Sequence, residues 1–234
     1  AGARAIKAHF DRLGIEVESI EKGVDFGKYH TRFKIKGEPL VSVIIPNKDH
    51  RLDLDVCVKS LMEKATYKNL EYIVIENNST EKATFEYYEQ MEKEHDNFHV
   101  VTWEREFNYS AINNFGEKYA KGEYLLFLNN DTEIIEPDCI QEMLGYCQRE
   151  DVGAVGARLL YQDDTIQHAG VVIGFGGIAG HTFIGLHKNE NSYFHRAMCA
   201  QDYSAVTAAC VMEKRTVFES VGGFSTELAV AVND

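Results

Sequence analysis

Gly122-Glu-Tyr-Leu-Leu-Phe-Leu-Asn-Asn-Asp131-Thr-Glu133 is the stretch on which the reading of this chain turns. Tyr124 to Leu128 is a short unbroken apolar run with aromatics, the composition of a strand buried on both faces. It stops at Asn129, Asn130 and Asp131. A buried strand ending in three polar side chains delivers them together to its carboxyl edge, where open α/β sheets bind ligands. A carboxylate flanked by amides suits a hard divalent cation shared with phosphate oxygens. The same cluster is also what a turn with an Asx cap carries, so alone it decides nothing.

Upstream the pattern repeats. Val41-Ser-Val-Ile-Ile45 is a buried strand ending at Pro46-Asn47-Lys48-Asp49, and Tyr72-Ile-Val-Ile75 ends at Glu76-Asn77-Asn78-Ser79. Leu54, Cys57, Val58 and Leu61 mark one face of a helix between them. A second helix carries Phe85, Tyr88 and Met91, and Phe98 to Trp103 is a third strand. Ser110 is placed to cap a helix with Ile112, Phe115 and Tyr119. Pro137 suits the first turn of a helix bearing Ile140, Met143, Leu144 and Cys147. Strand and helix alternate from 40 to 150, the rhythm of βαβ units in a doubly wound, mostly parallel sheet. Polar strand ends then converge on one edge, which favours a ligand site over isolated turns.

The flanks differ. Residues 1–38 read as a small α+β extension: Ala5, Ile6, Phe10 and Leu13 at helical spacing, Gly14 as a stop, then two short alternating strands. We take 39–234 as the main domain. After 150 the rhythm loosens, with strands over Val152 to Tyr161, Gly170 to Ile173 and Thr207 to Met212, then a helix from Glu213 to Val221. Gly174-Phe-Gly-Gly-Ile-Ala-Gly180 matches G-x-G-x-x-A, but the following His181 to Asn189 lacks helical period, so a glycine loop is expected rather than a dinucleotide turn. The chain reaches Asn233-Asp234 without a terminating element, from which we expect truncation.

Bulk properties narrow the class. The 234 residues include 24 Lys and Arg against 37 Asp and Glu, a net charge of −13. That disfavours nucleic-acid backbones, and a phosphorylated ligand would need a metal or local cations. No transmembrane run and no leader pattern is present. The five cysteines lack CxxC spacing and read as reduced thiols. A cytoplasmic location is expected, extending to peripheral attachment at the inner face of the membrane. The nine histidines show no compact metal spacing, although His181 beside Gly180 is placed to face a ligand.

Pro39 to Pro46, Ile73 to Thr80, Phe107 to Asn114 and Leu128 to Asp131, in that order, resemble the large inverting nucleotide-sugar glycosyltransferase family 2 with the GT-A fold. Gln167 to Gly170, Ala179 to His181, Tyr203 to Cys210 and Val221 to Ser225 resemble its bacterial surface-polysaccharide branch. The resemblance implies that Pro46, Lys48 and Asp49 meet the nucleoside, and that Glu76 and Asn77 hold the base. It places Asn113 near the nucleotide, where an Arg-Asn pair has become Asn113-Asn114. Asn130 and Asp131 fall in the D-x-D element, with Asp131 as ligand to Mn2+ or Mg2+. Asp234 aligns with the catalytic base, and His181, Thr207 and Ala208 with the acceptor side.

Sugar transfer passes through an oxocarbenium-like state. A cation would offset charge on a leaving diphosphate, and single-step inversion needs one carboxylate to take the acceptor hydroxyl's proton. The expected partners are a nucleotide-diphosphate sugar and a saccharide or lipid-linked saccharide acceptor. Departures at Asn77, Asn113 and Asn129 motivate an alternative, a nucleotide-sugar-binding module without turnover. A nucleotidyltransferase would carry a Gly-rich triphosphate loop, and Asn47 to Arg51 contains no glycine.

Overall fold

The structure, a computed structural model, describes residues 1–227. Gly2–Leu13 (α1) closes on Gly14 in the left-handed conformation, φ 69°. Val17–Lys22 (β1) and Tyr29–Phe33 (β2) pair antiparallel as a sheet of their own. This N-terminal unit leans on Cys139–Cys147 (α5). Phe33 packs edge-on against both Phe10 of α1 and Tyr146 of α5, at ring separations of 5.3 and 4.9 Å. Arg32 reaches Asp138 and Glu142 at 2.6 and 2.5 Å.

The central sheet combines Val41–Asn47 (β3), Leu70–Glu76 (β4), Phe98–Thr102 (β5), Tyr124–Leu128 (β6), Ala154–Gly156 (β7) and Cys210–Lys214 (β12) in the order β5-β4-β3-β6-β12-β7. β3 to β6 pair parallel, whereas β12 runs antiparallel to both its neighbours. Every residue of β4 and β6 is buried, as their continuous apolar runs require. The chain steps outward from β3 to β4 to β5, then crosses back to place β6 on the other side of β3. The carboxyl ends of β3 and β6 therefore flank the switch point of the topology.

Side-chain alternation divides the core into two layers. Val41, Val43 and Ile45 pack with Arg51–Lys59 (α2), Lys82–Glu94 (α3) and α5 through Leu54, Val58, Tyr87, Tyr88, Met91, Ile140 and Leu144. Ile44, Ile73, Ile75, Leu125 and Phe127 face Ile112 of Tyr109–Glu117 (α4) and Phe218 of Arg215–Ser220 (α6). Gly116 lets α4 lie this close, because a Cβ there would collide with Ile75 Cδ1 and sit 2.8 Å from Ile44 Cγ2.

Several local readings shift. Asn108, not Ser110, caps α4: its Oδ1 accepts from Ala111 N at 2.8 Å, and Ser110 lies buried inside the helix. Pro137 precedes α5, and its carbonyl accepts from Thr66 N. Phe85 is 42% exposed, the buried face of α3 being Tyr87, Tyr88 and Met91. The single strand read over Val152 to Tyr161 is two, β7 and Leu159–Leu160 (β8), and β8 pairs with Ile166–His168 (β9). The glycine segment is a hairpin of Val171–Ile173 (β10) and Ala179–His181 (β11), with Gly174, Gly176 and Gly177 at positive φ in its turn. No helix follows it, so no dinucleotide turn forms.

Candidate functional site

The polar tips of β3, β4 and β6 are joined by side-chain hydrogen bonds. Asn130 Nδ2 donates to Asn47 Oδ1 at 2.6 Å across the switch point. Asn47 Nδ2 donates to the Tyr88 hydroxyl (2.7 Å) and to the Asp49 carbonyl (2.8 Å). The Tyr88 hydroxyl donates onward to Glu76 Oε2 at 2.8 Å. Glu76 also accepts from Ser79 N and Ser79 Oγ, at 2.5 and 2.6 Å. Asn47, Glu76 and Asn77 are buried, so satisfying these groups is energetically compulsory.

Asp49 plays a supporting part. Its carboxylate accepts from the N–H groups of Thr80 and Glu81, at 2.8 and 2.9 Å, just ahead of α3. Those two bonds, Glu81's first, hold its pKa below the ordinary carboxylate value. Asp49 and His50 both adopt left-handed backbone, φ 53° and 43°, and so does Asn78, φ 58°. Such clusters of non-glycine residues cost energy and gather at functional edges. Here Ser79 Oγ, accepting from Asp49 N at 2.7 Å, and Asn47 Nδ2 hold the turn.

Around this lattice the other expected site residues distribute as follows. Pro46 lies within β3 opposite Ile75, and Lys48 is exposed just beyond it. Asn77 Nδ2 donates to the carbonyls of Trp103 and Arg105, at 3.1 and 3.0 Å. Asn113 is fully buried on α4; its Nδ2 donates to the Tyr109 carbonyl, while its Oδ1 has no partner among the described residues. Asn114 instead clasps Phe224, donating to its carbonyl and accepting from its N–H. Ala208 is buried, and its carbonyl accepts from the Tyr109 hydroxyl at 2.8 Å. Thr207 Oγ1 accepts from Ala209 N at 3.4 Å, and the Ala209 carbonyl in turn accepts from Asn129 N at 3.0 Å. The segment before β12 is thus fastened to the tip of β6. Asp234 lies outside the described residues.

His181 of β11 meets buried His168, their Nδ1 atoms 2.9 Å apart. Gly170 N donates to His168 Nε2 at 3.3 Å. A backbone N–H can only donate, so neutral His168 carries its proton on Nδ1 and gives it to His181 Nδ1. That leaves the His181 proton on Nε2, at the ring edge facing away from His168. Tyr88 and His168 were not among the expected site residues. Tyr88 reads as core in sequence because its ring occupies a helix position facing the sheet.

Among the described residues no three His, Cys, Asp or Glu side chains gather as a metal cage. Asp131 nonetheless fits the single-carboxylate role: it is exposed, follows directly on Asn130, and its carboxylate has no hydrogen-bond partner among the described residues. A hard cation shared with phosphate oxygens and water needs only one or two protein carboxylates. A separate cavity of about 270 Å³ between α2 and α3, lined by Arg51, Asp55, Lys59, Tyr87 and Met91 among others, contains none of these residues. Of the expected residues, the switch-point lattice joins Asp49, Glu76 and Asn130.

A family model, "Glycosyl transferase family 2", matches residues 42–212. The chain belongs to glycosyl transferase family 2. It is 43% identical over its whole length to an uncharacterized protein, y4gI, of Sinorhizobium fredii, covering 26% of that protein. It is 40% identical, again over its whole length, to the O-antigen biosynthesis protein RfbC of Myxococcus xanthus, covering 18% of it. The chain therefore spans only 26% and 18% of the length of these relatives. In fold it resembles the mannosyltransferase PcManGT of Pyrobaculum calidifontis, solved with GDP-Man and Mn2+. The TM-score is 0.61 at 15% identity, over 97% of this chain and 56% of that one. The family 2 domain therefore has the GT-A fold, with its mixed sheet and a topological reversal between β3 and β6. No helix among the described residues is long and apolar enough to cross a membrane.

Proposed function

We propose that this domain transfers a sugar, with inversion, from a nucleotide-diphosphate donor to a saccharide or lipid-linked saccharide hydroxyl in bacterial surface-polysaccharide synthesis. The observation that carries the reading is the Asn130–Asn47–Tyr88–Glu76 lattice, which locks three strand ends into one edge and leaves the Asp131 carboxylate unengaged. Preorganised polar groups at a switch point are how an open α/β sheet receives a nucleotide.

In this reading the nucleoside enters beside Pro46, Lys48 and Asp49, with the base towards Glu76 and Asn77. The orphan Oδ1 of Asn113 supplies an acceptor for a donor group of the nucleotide. Asp131 would hold a divalent cation, Mn2+ or Mg2+, which when bound offsets the negative charge of the diphosphate. Asn130 keeps that carboxylate in place by fixing the β6 end to Asn47. His181, Thr207 and Ala208 line the acceptor side, His181 offering its Nε2–H. Asp234 takes the proton of the acceptor hydroxyl as the new glycosidic bond forms and the bond to the diphosphate breaks.

Calorimetry with a panel of nucleoside diphosphates, with and without manganese, tests the reading. Binding should require the metal, and Asp131→Ala should abolish it. Unchanged affinity in that variant would remove the metal assignment. Metal-dependent binding with no consumption of any donor sugar would make the domain a binding module.

A further inference from the structure

Two loops distant in sequence present apolar side chains to solvent side by side. The turn between β1 and β2 leaves Phe26 99% exposed and Val24 64% exposed. The short 3-10 turn Tyr193–His195 leaves Tyr193 and Phe194 at 74% and 70%. The loops are tied directly, His195 Nε2 lying 3.1 Å from Asp25 Oδ2, so their aromatic residues flank one side-chain contact. Tyr193 and Phe194 pack edge to face at 4.6 Å. Phe194 and His195 stand at φ 52° and 57°, a conformation bulky residues rarely adopt, and it aims an aromatic side chain outward.

Charge distinguishes this patch from the rest of the molecule. Within 22–28 and 187–196 the bases are Lys22, Lys28, Lys188 and Arg196, against Asp25 and Glu190, in a chain of net charge −13. Lys188 pairs with Asp164, which leaves Lys22, Lys28 and Arg196 against Asp25 and Glu190 in the two loops that carry the aromatics. Exposed aromatics ringed by long basic side chains are the chemistry of an interfacial membrane contact. The rings enter the headgroup–acyl boundary and the cations meet anionic headgroups.

We propose that Val24, Phe26, Tyr193 and Phe194, with Lys22, Lys28 and Arg196, seat this domain on an anionic lipid bilayer. The surface is independent of the sugar-transfer reading, and its test uses no donor sugar, so either can fail alone. The chain is sedimented with phosphatidylcholine vesicles, with or without phosphatidylglycerol. It should pellet with the anionic vesicles, and salt should release it. Phe26→Ser with Phe194→Ser should weaken binding at least about tenfold, and Lys22→Glu with Lys28→Glu should erase the preference for anionic lipid. Lys22, Phe26 and Phe194 are exposed and Lys28 is half-buried, so thermal melting should be unchanged and separates a lost contact from a lost fold. Failure to pellet with anionic vesicles overturns the proposal, as does equal binding by the serine pair. A dimer in light scattering that the serine pair dissociates would assign the patch to a second copy instead.

Discussion

Glu213 on β12 offers a quantitative check on the packing of the sheet. It pairs with Leu125 on one side and Ala154 on the other, and shares its face with Val211, in the cluster with Leu125, Phe127 and Phe218. Desolvation there raises its pKa from 4.5 to about 7, with no compensating charge. In this window the native state keeps a proton that the unfolded chain has lost. Stability is therefore fully present below about pH 4.5 and falls as pH rises through about 7. A difference of about 2.5 units corresponds to about 3 kcal/mol at most, from 1.36 kcal/mol per unit. Glu213→Gln should remove that loss. Urea unfolding of both proteins from pH 5 to pH 8 measures it. At an m-value of about 2 kcal/mol/M, the two midpoints should diverge by up to about 1.5 M at the alkaline end. Histidines titrate in both proteins and cancel in the difference. Midpoint curves that stay parallel across this range would refute the burial argument.

Other outcomes are expected. Tyr88→Phe removes the hydroxyl shared by Asn47 and Glu76 and should cost about 1–3 kcal/mol in unfolding free energy; an unchanged urea midpoint would show that the lattice does not need it. Gly116→Ala sets a helix-propensity gain of about 1 kcal/mol against a collision with Ile75 and Ile44, and overpacking costs about 1–3 kcal/mol. The melting temperature should fall, and a rise would mean α4 can retreat from the sheet. Asp234→Asn should preserve nucleoside-diphosphate affinity while donor consumption drops by orders of magnitude, and an active variant would eliminate Asp234 as the base.

The alternation of buried strands and amphipathic helices from 40 to 150 was legible because burial on two faces leaves an unbroken apolar run, while burial on one stripe leaves a period of 3.6. The ordered polar tips carried the family resemblance as well. Boundaries set by single hydrogen bonds were less legible. Asn108 and Ser110 are both good caps by composition, and only the chain's path into α4 decides between them. The glycine segment after β10 was ambiguous because a positive φ serves a hairpin turn as well as a phosphate loop.

Residue order alone determined that several buried strands end in amides and carboxylates, because local composition and period report how deeply each residue is buried. Only the tertiary structure decided which ends meet. Asn47 and Asn130 are 83 positions apart, Tyr88 enters their network from a helix, and β12 runs against its neighbours. The loops bearing Phe26 and Phe194 likewise come together through the contact of His195 with Asp25. Such pairings depend on how layers of side chains fill space across the whole sheet, and no spacing along the chain encodes that.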